Sequence, residues 1–119
     1  MIVGCGNSEV SERLYQSGYH YITNIDFSEE VISDMQERLK DAEDMDYYQM
    51  DVCSDDIKEI ESNTFELILD KATFDSVLCR ENPLPAANFM LTVSLDYIQE
   101  IERILAPGGT YVMVSSGNP

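Results

Sequence analysis

Positive charge is what this sequence has least of. Seven lysines and arginines stand against 23 aspartates and glutamates, a net charge of −16. Such a surface repels phosphate backbones, so nucleic acid is not expected as a direct substrate. It attracts a basic partner, such as a lysine-rich protein segment. The plainer reading is that the charge only keeps the domain in solution, which is the usual role of charge runs. Histidine is nearly missing: His20 stands alone, so no zinc, haem or other metal site is expected. The three cysteines, Cys5, Cys53 and Cys79, are odd in number, widely spaced and contain no CxxC pair. That favours free thiols in a reducing cytosol over disulfides, and a cytoplasmic location. No apolar run approaches the roughly 20 residues of a membrane span. A basic, leucine-rich signal region is also lacking, so neither membrane insertion nor secretion is expected.

What is present is a folded composition. The chain has 119 residues, 44% of them hydrophobic, and reads as one domain over 1–119. Its organising stretch is Met1-Ile2-Val3-Gly4-Cys5-Gly6-Asn7-Ser8. Three apolar residues run into two glycines one residue apart, followed by residues able to cap a helix. This predicts the end of a buried strand, a tight turn of bare backbone and a helix start.

Further along, Ser8 predicts a helix to about Tyr15, with Val10 and Leu14 on one face and Gly18 as its stop. Tyr21 to Asp26 reads as a strand. Ser28 caps a second helix whose apolar stripe is Val31, Met35, Leu39 and Ala42, with Glu29 and Glu30 in its first turn. Glu43 to Asp46 reads as a connector and Tyr47 to Met50 as a third strand before Asp51. A short helix is expected around Ile57 and Ile60. Phe65 to Leu69 is a fourth strand ending in Asp70, with a helix from Thr73 or Phe74. Pro83 and Pro85 interrupt it. A further helix runs to about Leu105, with Leu95, Ile98, Ile101 and Leu105 as its face. Pro107-Gly108-Gly109 ends it, and Thr110 to Ser115 is a fifth strand.

Alternating strands and helices imply an α/β fold. The expected form is a doubly wound, Rossmann-like, mainly parallel sheet of about five strands in the order 3-2-1-4-5, with helices on both faces. Ligands of such sheets sit beyond the carboxyl ends of the strands, where Gly4, Gly6, Asp26, Asp51 and Asp70 fall. An acid after one strand is often just a helix cap. Acids at successive strand ends are harder to dismiss.

Two nucleoside cofactors compete for these positions. A dinucleotide calls for a third glycine in GxGxxG, beside the pyrophosphate. Here that place is Glu9, whose charge opposes a diphosphate. S-adenosylmethionine has no phosphate and carries cations that suit an acidic cleft. Its chemistry assigns roles: Asp26 to the ribose hydroxyls, Phe27 to an adenine face, Asp51 to the adenine amino group and the Val52 N–H to a ring nitrogen. Gly4 and Gly6 would lie along the methionine part, with Asp70 near the sulfonium and ammonium.

The ordered set Gly-Cys-Gly-Asn-Ser at 4–8, Asn-Ile-Asp at 24–26, Met-Asp-Val at 50–52, Leu-Asp-Lys-Ala-Thr-Phe-Asp at 69–75, Pro-Gly-Gly at 107–109 and Ser-Ser-Gly-Asn-Pro at 115–119 resembles class I S-adenosylmethionine-dependent methyltransferases. More narrowly it resembles the group that includes lysine methyltransferases acting on elongation factor 1A. The resemblance implies cofactor contacts at Gly4, Gly6, Asp26 and Asp51, and the full expected cofactor-binding set is Gly4, Cys5, Gly6, Asn7, Asp26, Phe27, Asp51, Val52 and Asp70. It also implies a methyl-transfer pair, Asp70 and Lys71. Ala72 departs from it, since relatives often have glycine there. So do the ends: a helix before the first strand and two strands after the fifth are expected of the family and are not in this sequence. An exposed fifth strand then invites self-association. The implied reaction is direct transfer of a methyl group to a lysine of a basic protein. A small-molecule acceptor, or a catalytically weak interaction domain, are the readings left beside it.

Overall fold

A computed structural model describes residues 1–80 and 86–117. In chain order the elements are β1 (Ile2–Val3), α1 (Val10–Gln16), β2 (Ile22–Asp26), α2 (Glu29–Arg38), β3 (Met45–Gln49), a 3-10 helix (Asp55–Glu59), β4 (Phe65–Lys71), α3 (Thr73–Leu78), α4 (Ala86–Ile104) and β5 (Leu105–Val114). The strands form one parallel sheet in the order β3-β2-β1-β4-β5. Helices cover both faces, as the alternation predicts. The expected interruption at Pro83 and Pro85 lies outside the described residues.

The two residues of β1 divide the core. Successive strand side chains point to opposite faces. Ile2 joins a cluster with Ile22, Ile32, Met35, Met45 and Tyr47 beneath α1 and α2. Val3 joins Ile25, Ile68, Val77, Tyr97, Ile101 and Ile104 beneath α3 and α4. Both neighbours of β1 in the sheet are parallel, so Ile2 and Val3 are buried from every side.

Several boundaries differ from expectation. Helix α1 begins at Val10 rather than next to Ser8, yet the Ser8 hydroxyl still accepts the Val10 N–H at 3.3 Å. Gly18, at φ +94°, does end the helix and donates to the Tyr15 carbonyl at 3.0 Å. Tyr21 falls just outside β2, with φ 59°. Ser28 caps α2 by accepting from Val31 N. That helix stops at Arg38, so Leu39 and Ala42 pack from the following turn, and Ile32 takes the central buried place beside Met35. Strand β3 starts at Met45, inside the expected connector, because Met45 and Tyr47 alternate inward.

The largest correction is on α4. Its buried stripe is Tyr97, Ile101 and Ile104, while Leu95 and Ile98 are 51% and 41% exposed. Two apolar stripes coexist on this helix, and both satisfy helical spacing. Tyr97 wins the core because its hydroxyl finds a buried carboxylate, Asp70, at 2.6 Å. The Pro107-Gly108-Gly109 stretch is not a clean break either. It lies within β5 as a bulge: Leu105 pairs with Phe65, and the register then jumps so that Thr110 pairs with Leu67.

Candidate functional site

The carboxyl ends of β1, β2 and β4 converge on a cavity of about 390 Å³. Gly4, Cys5, Gly6, Asn7, Ser8, Asp26 and Phe27 line one side, and Lys71, Ala72, Thr73, Ser76, Val77 and Arg80 the other. A larger cavity, about 500 Å³, lies between the 3-10 helix and α4 and does not touch the glycine loop. The convergence of strand ends, rather than size, singles out the first.

The two glycines have different reasons to be there. Both hold positive φ, +61° at Gly4 and +53° at Gly6. A Cβ on Gly4 would come within 2.1 Å of Thr73 Oγ1, whereas one on Gly6 would meet nothing within 4 Å. The bare face of Gly4 is therefore filled by Thr73, whose hydroxyl donates to the Val3 carbonyl at 2.7 Å. That face is closed to a ligand, while the rest of Gly4 still lines the cavity. Gly6 alone opens its bare face to solvent. Cys5 is buried between them, and burial beside Asp26 pushes its thiol up to about 12. It is a packing residue with no thiolate character near neutral pH. Asn7 is exposed at the cavity rim, and its carbonyl accepts from Arg38 at 3.4 Å.

The three acids differ in how many acceptor sites the described residues leave them. A carboxylate offers about four lone-pair sites. Asp26 uses two: Gly6 N–H donates to Oδ2 at 2.9 Å and Ser28 N–H to Oδ1 at 3.0 Å. It thereby joins the glycine loop to the start of α2 and keeps two sites for a ligand. Asp51 uses three. The Arg80 guanidinium grips it in a bidentate pair at 3.0 and 3.1 Å, and Cys53 N–H donates at 2.9 Å. Burial opposes ionisation of Asp51, but the Arg80 and Cys53 donors outweigh it and hold the carboxyl below its ordinary value. Val52 is buried beside it.

Asp70 uses all four. Thr73 N–H and Phe74 N–H donate to Oδ1 at 2.9 and 3.3 Å, and the hydroxyls of Tyr97 and Tyr111 donate to Oδ2 at 2.6 and 2.9 Å. It is 1% exposed and does not line the cavity. The carboxylate expected beside a reacting centre is thus turned inward, where it caps α3 and ties α4 and β5 to β4. Lys71, next along β4, points the other way, is exposed and lines the cavity. Lys71 and Asp70 do not pair, since the four donors on Asp70 come from elsewhere. Ala72, at φ +64°, makes the turn into α3. That conformation is the one a glycine adopts at no steric cost, which accounts for glycine at this position in the resemblance.

Sequence reasoning missed Thr73, Arg80, Tyr97 and Tyr111. Arg80 carried a faint signal, as one of seven basic residues in a strongly acidic chain. The tyrosines carried none, because they are remote from Asp70 along the chain.

Comparison with known proteins fits this geometry. A methyltransferase domain model matches residues 1–113. The eEF1A lysine and N-terminal methyltransferase of Danio rerio is 38% identical over 116 residues, covering 97% of this chain and 15% of that protein. EEF1A lysine methyltransferase 4 of Mus musculus is 30% identical over 120 residues, covering 100% of this chain and 46% of that one. The chain thus spans under half the length of these curated relatives. A Mesorhizobium loti protein described as an S-adenosylmethionine dependent methyltransferase shares the fold, with a TM-score of 0.68 at 17% identity over 94% of this chain and 44% of its own. With the family model spanning nearly the whole sequence and the strand ends arranged as described, the chain belongs to the methyltransferase domain family.

Proposed function

We propose that this domain binds S-adenosylmethionine and directs its methyl group to an amine, most specifically a lysine, of a protein substrate. The observation that carries the acceptor is the 38% identity, over 97% of this chain, to a relative named for lysine and N-terminal methylation of eEF1A. The glycine-loop cavity fits the cofactor on this chain's own terms. Asp26 retains two acceptor sites at the mouth, suited to a pair of ribose hydroxyls, and Phe27 is 67% exposed beside it, suited to an apolar ring face. Gly6 offers bare backbone on its open side. When bound, the cofactor supplies an electrophilic methyl carbon.

The remaining residues orient and tune. Lys71 brings a cation to the cavity wall. A like charge disfavours the ammonium form of an incoming lysine and so favours the neutral, nucleophilic amine. Asp70, with every acceptor site used, acts by fixing α3 and the Lys71–Ala72 turn rather than by touching reactants. The acidic surface draws a basic substrate. We place the protein in the cytoplasm, a reading supported by three free cysteines, two of them exposed.

The test is incubation with labelled cofactor and elongation factor 1A, followed by mass mapping. Label on a lysine is the expected result. Label confined to small molecules would replace the protein substrate with a metabolite, and label on the factor's N-terminus would shift the acceptor to an α-amine. Asp26→Asn should weaken binding of S-adenosylhomocysteine at least about tenfold, since one acceptor becomes a donor. Unchanged affinity would remove the ribose assignment.

A further inference from the structure

Between Phe27, Asp51 and Val52, where the adenine assignments meet, the space measures about 20 Å³. That is room for about one water molecule. Most of its walls are fixed. Val3, Ile25 and Val52 belong to the core, and Thr73 is held by its bond to Val3. The movable walls are Phe27 and Arg80. The Arg80 guanidinium lies 5.9 Å from the Phe27 ring centroid and holds both carboxylate oxygens of Asp51 at 3.0 and 3.1 Å. Stacked flat groups sit about 3.5 Å apart. A purine between Phe27 and the guanidinium would therefore need about 7 Å, more than the gap provides.

We propose that Arg80 is a gate on the adenine end of this site, competing with the purine for Asp51 and for the face of Phe27. The inference rests on the cofactor reading above. Entry of the purine exchanges two guanidinium hydrogen bonds on Asp51 for one from the exocyclic amine, and moves the Arg80 side chain outward. The exchange is feasible because Arg80 is anchored near the surface: its side chain is 38% exposed and that of Asp51 31%. A pair so exposed is weak enough to open and strong enough to tax binding. The other groups near Asp51 do not replace Arg80: Cys53 contributes a neutral backbone N–H, and Asp26, itself an acid, faces the glycine loop.

The experiment is calorimetric titration of S-adenosylhomocysteine into the full chain, its Arg80→Ala form and its Arg80→Met form. Methionine keeps an apolar stem over Phe27 and removes only the charge, which guards against a packing artefact. Both variants should bind about two- to fivefold more tightly than the parent. Parent affinity should rise with salt, as screening loosens the pair, and variant affinity should stay flat. Binding only by the variants would also support the gate. Equal or weaker binding by both variants, with the parent binding, would overturn the gate and leave the cofactor reading intact. Absence of binding by all three forms would overturn both.

Discussion

Three residues around the cavity, Gly4, Gly6 and Ala72, hold left-handed backbone, at φ +61°, +53° and +64°. Each makes a separate prediction. Gly6→Ala adds a methyl group to open space, so it should lose about 1–2 kcal/mol, the cost of the conformation alone. Gly4→Ala adds the same cost plus an overlap with Thr73. It should lose clearly more in urea unfolding. Combining it with Thr73→Ala should cost less than the sum of the two single changes, because the two closest contacts disappear. Ala72→Gly should stabilise the domain by about 0.5–1 kcal/mol, conformational relief being partly offset by the entropy glycine brings to the unfolded chain. A destabilised Ala72→Gly form would mean that the turn into α3 is not strained. At Asp70 the prediction concerns alkali. Burial and the adjacent carboxylate push the Tyr97 and Tyr111 hydroxyls well above their usual value near 10. A raised folded-state value means their contribution is complete below about pH 10 and is lost as pH climbs beyond it. Alkaline titration should show tyrosinate absorbance for these two only as the domain unfolds. Tyr97→Phe should cost about 1–3 kcal/mol at neutral pH and flatten the alkaline slope.

At the scale of elements, α3 is the part that joins the site to the rest. Its first turn is capped by Asp70 at the end of β4, and its Asp75 reaches the segment after β5. There Asp75 accepts from the Ser116 N–H at 2.8 Å and from the hydroxyls of Ser115 and Ser116. The motif at 69–75 and the segment Ser115-Ser116 are far apart in the chain and clasp in the fold. The Ser115 and Ser116 donors hold the Asp75 carboxyl below its ordinary value. A depressed value means the clasp is present above about pH 4 and is lost as acid protonates the carboxylate. Hydrogen exchange should therefore show the Ser116 amide protected at neutral pH and freed in Asp75→Ala. An amide equally slow in both forms would remove the clasp. The helix α4 illustrates the complementary point. With apolar residues on two stripes, periodicity alone could not say which one faces the sheet; the hydroxyl of Tyr97 and its buried partner decided it.

For the whole molecule, charge and edge oppose each other. Strand β5 ends the sheet order, and Val112, Met113 and Val114 on it are 39%, 44% and 57% exposed. Such an edge favours pairing with a second copy. A net charge of −16 on each copy resists it. Raising ionic strength from about 0.01 to 1 M shortens the screening length from about 30 to 3 Å. Light scattering after size exclusion should then show mass rising toward a dimer as salt increases. Val114→Asp, which adds charge at the most exposed edge position, should keep the chain monomeric. A parent chain that stays monomeric at every salt concentration would dismiss the edge as an association site.

Much of the fold was legible from local pattern. Alternating strand and helix periods, with the Gly4-Cys5-Gly6 turn, were enough for sheet order, for helices on both faces and for placing Asp26 and Asp51 beyond strand ends. Those features depend on neighbours along the chain, so the sequence determined them by itself. The roles of the acids did not follow from position. Asp26, Asp51 and Asp70 look alike as strand-end carboxylates, yet they keep two, one and none of their acceptor sites free. What separates them is the set of donors that other elements bring: Gly6 and Ser28, Arg80, and the tyrosines of α4 and β5. Donor supply is a property of three-dimensional packing between remote residues, and only the tertiary structure could decide it.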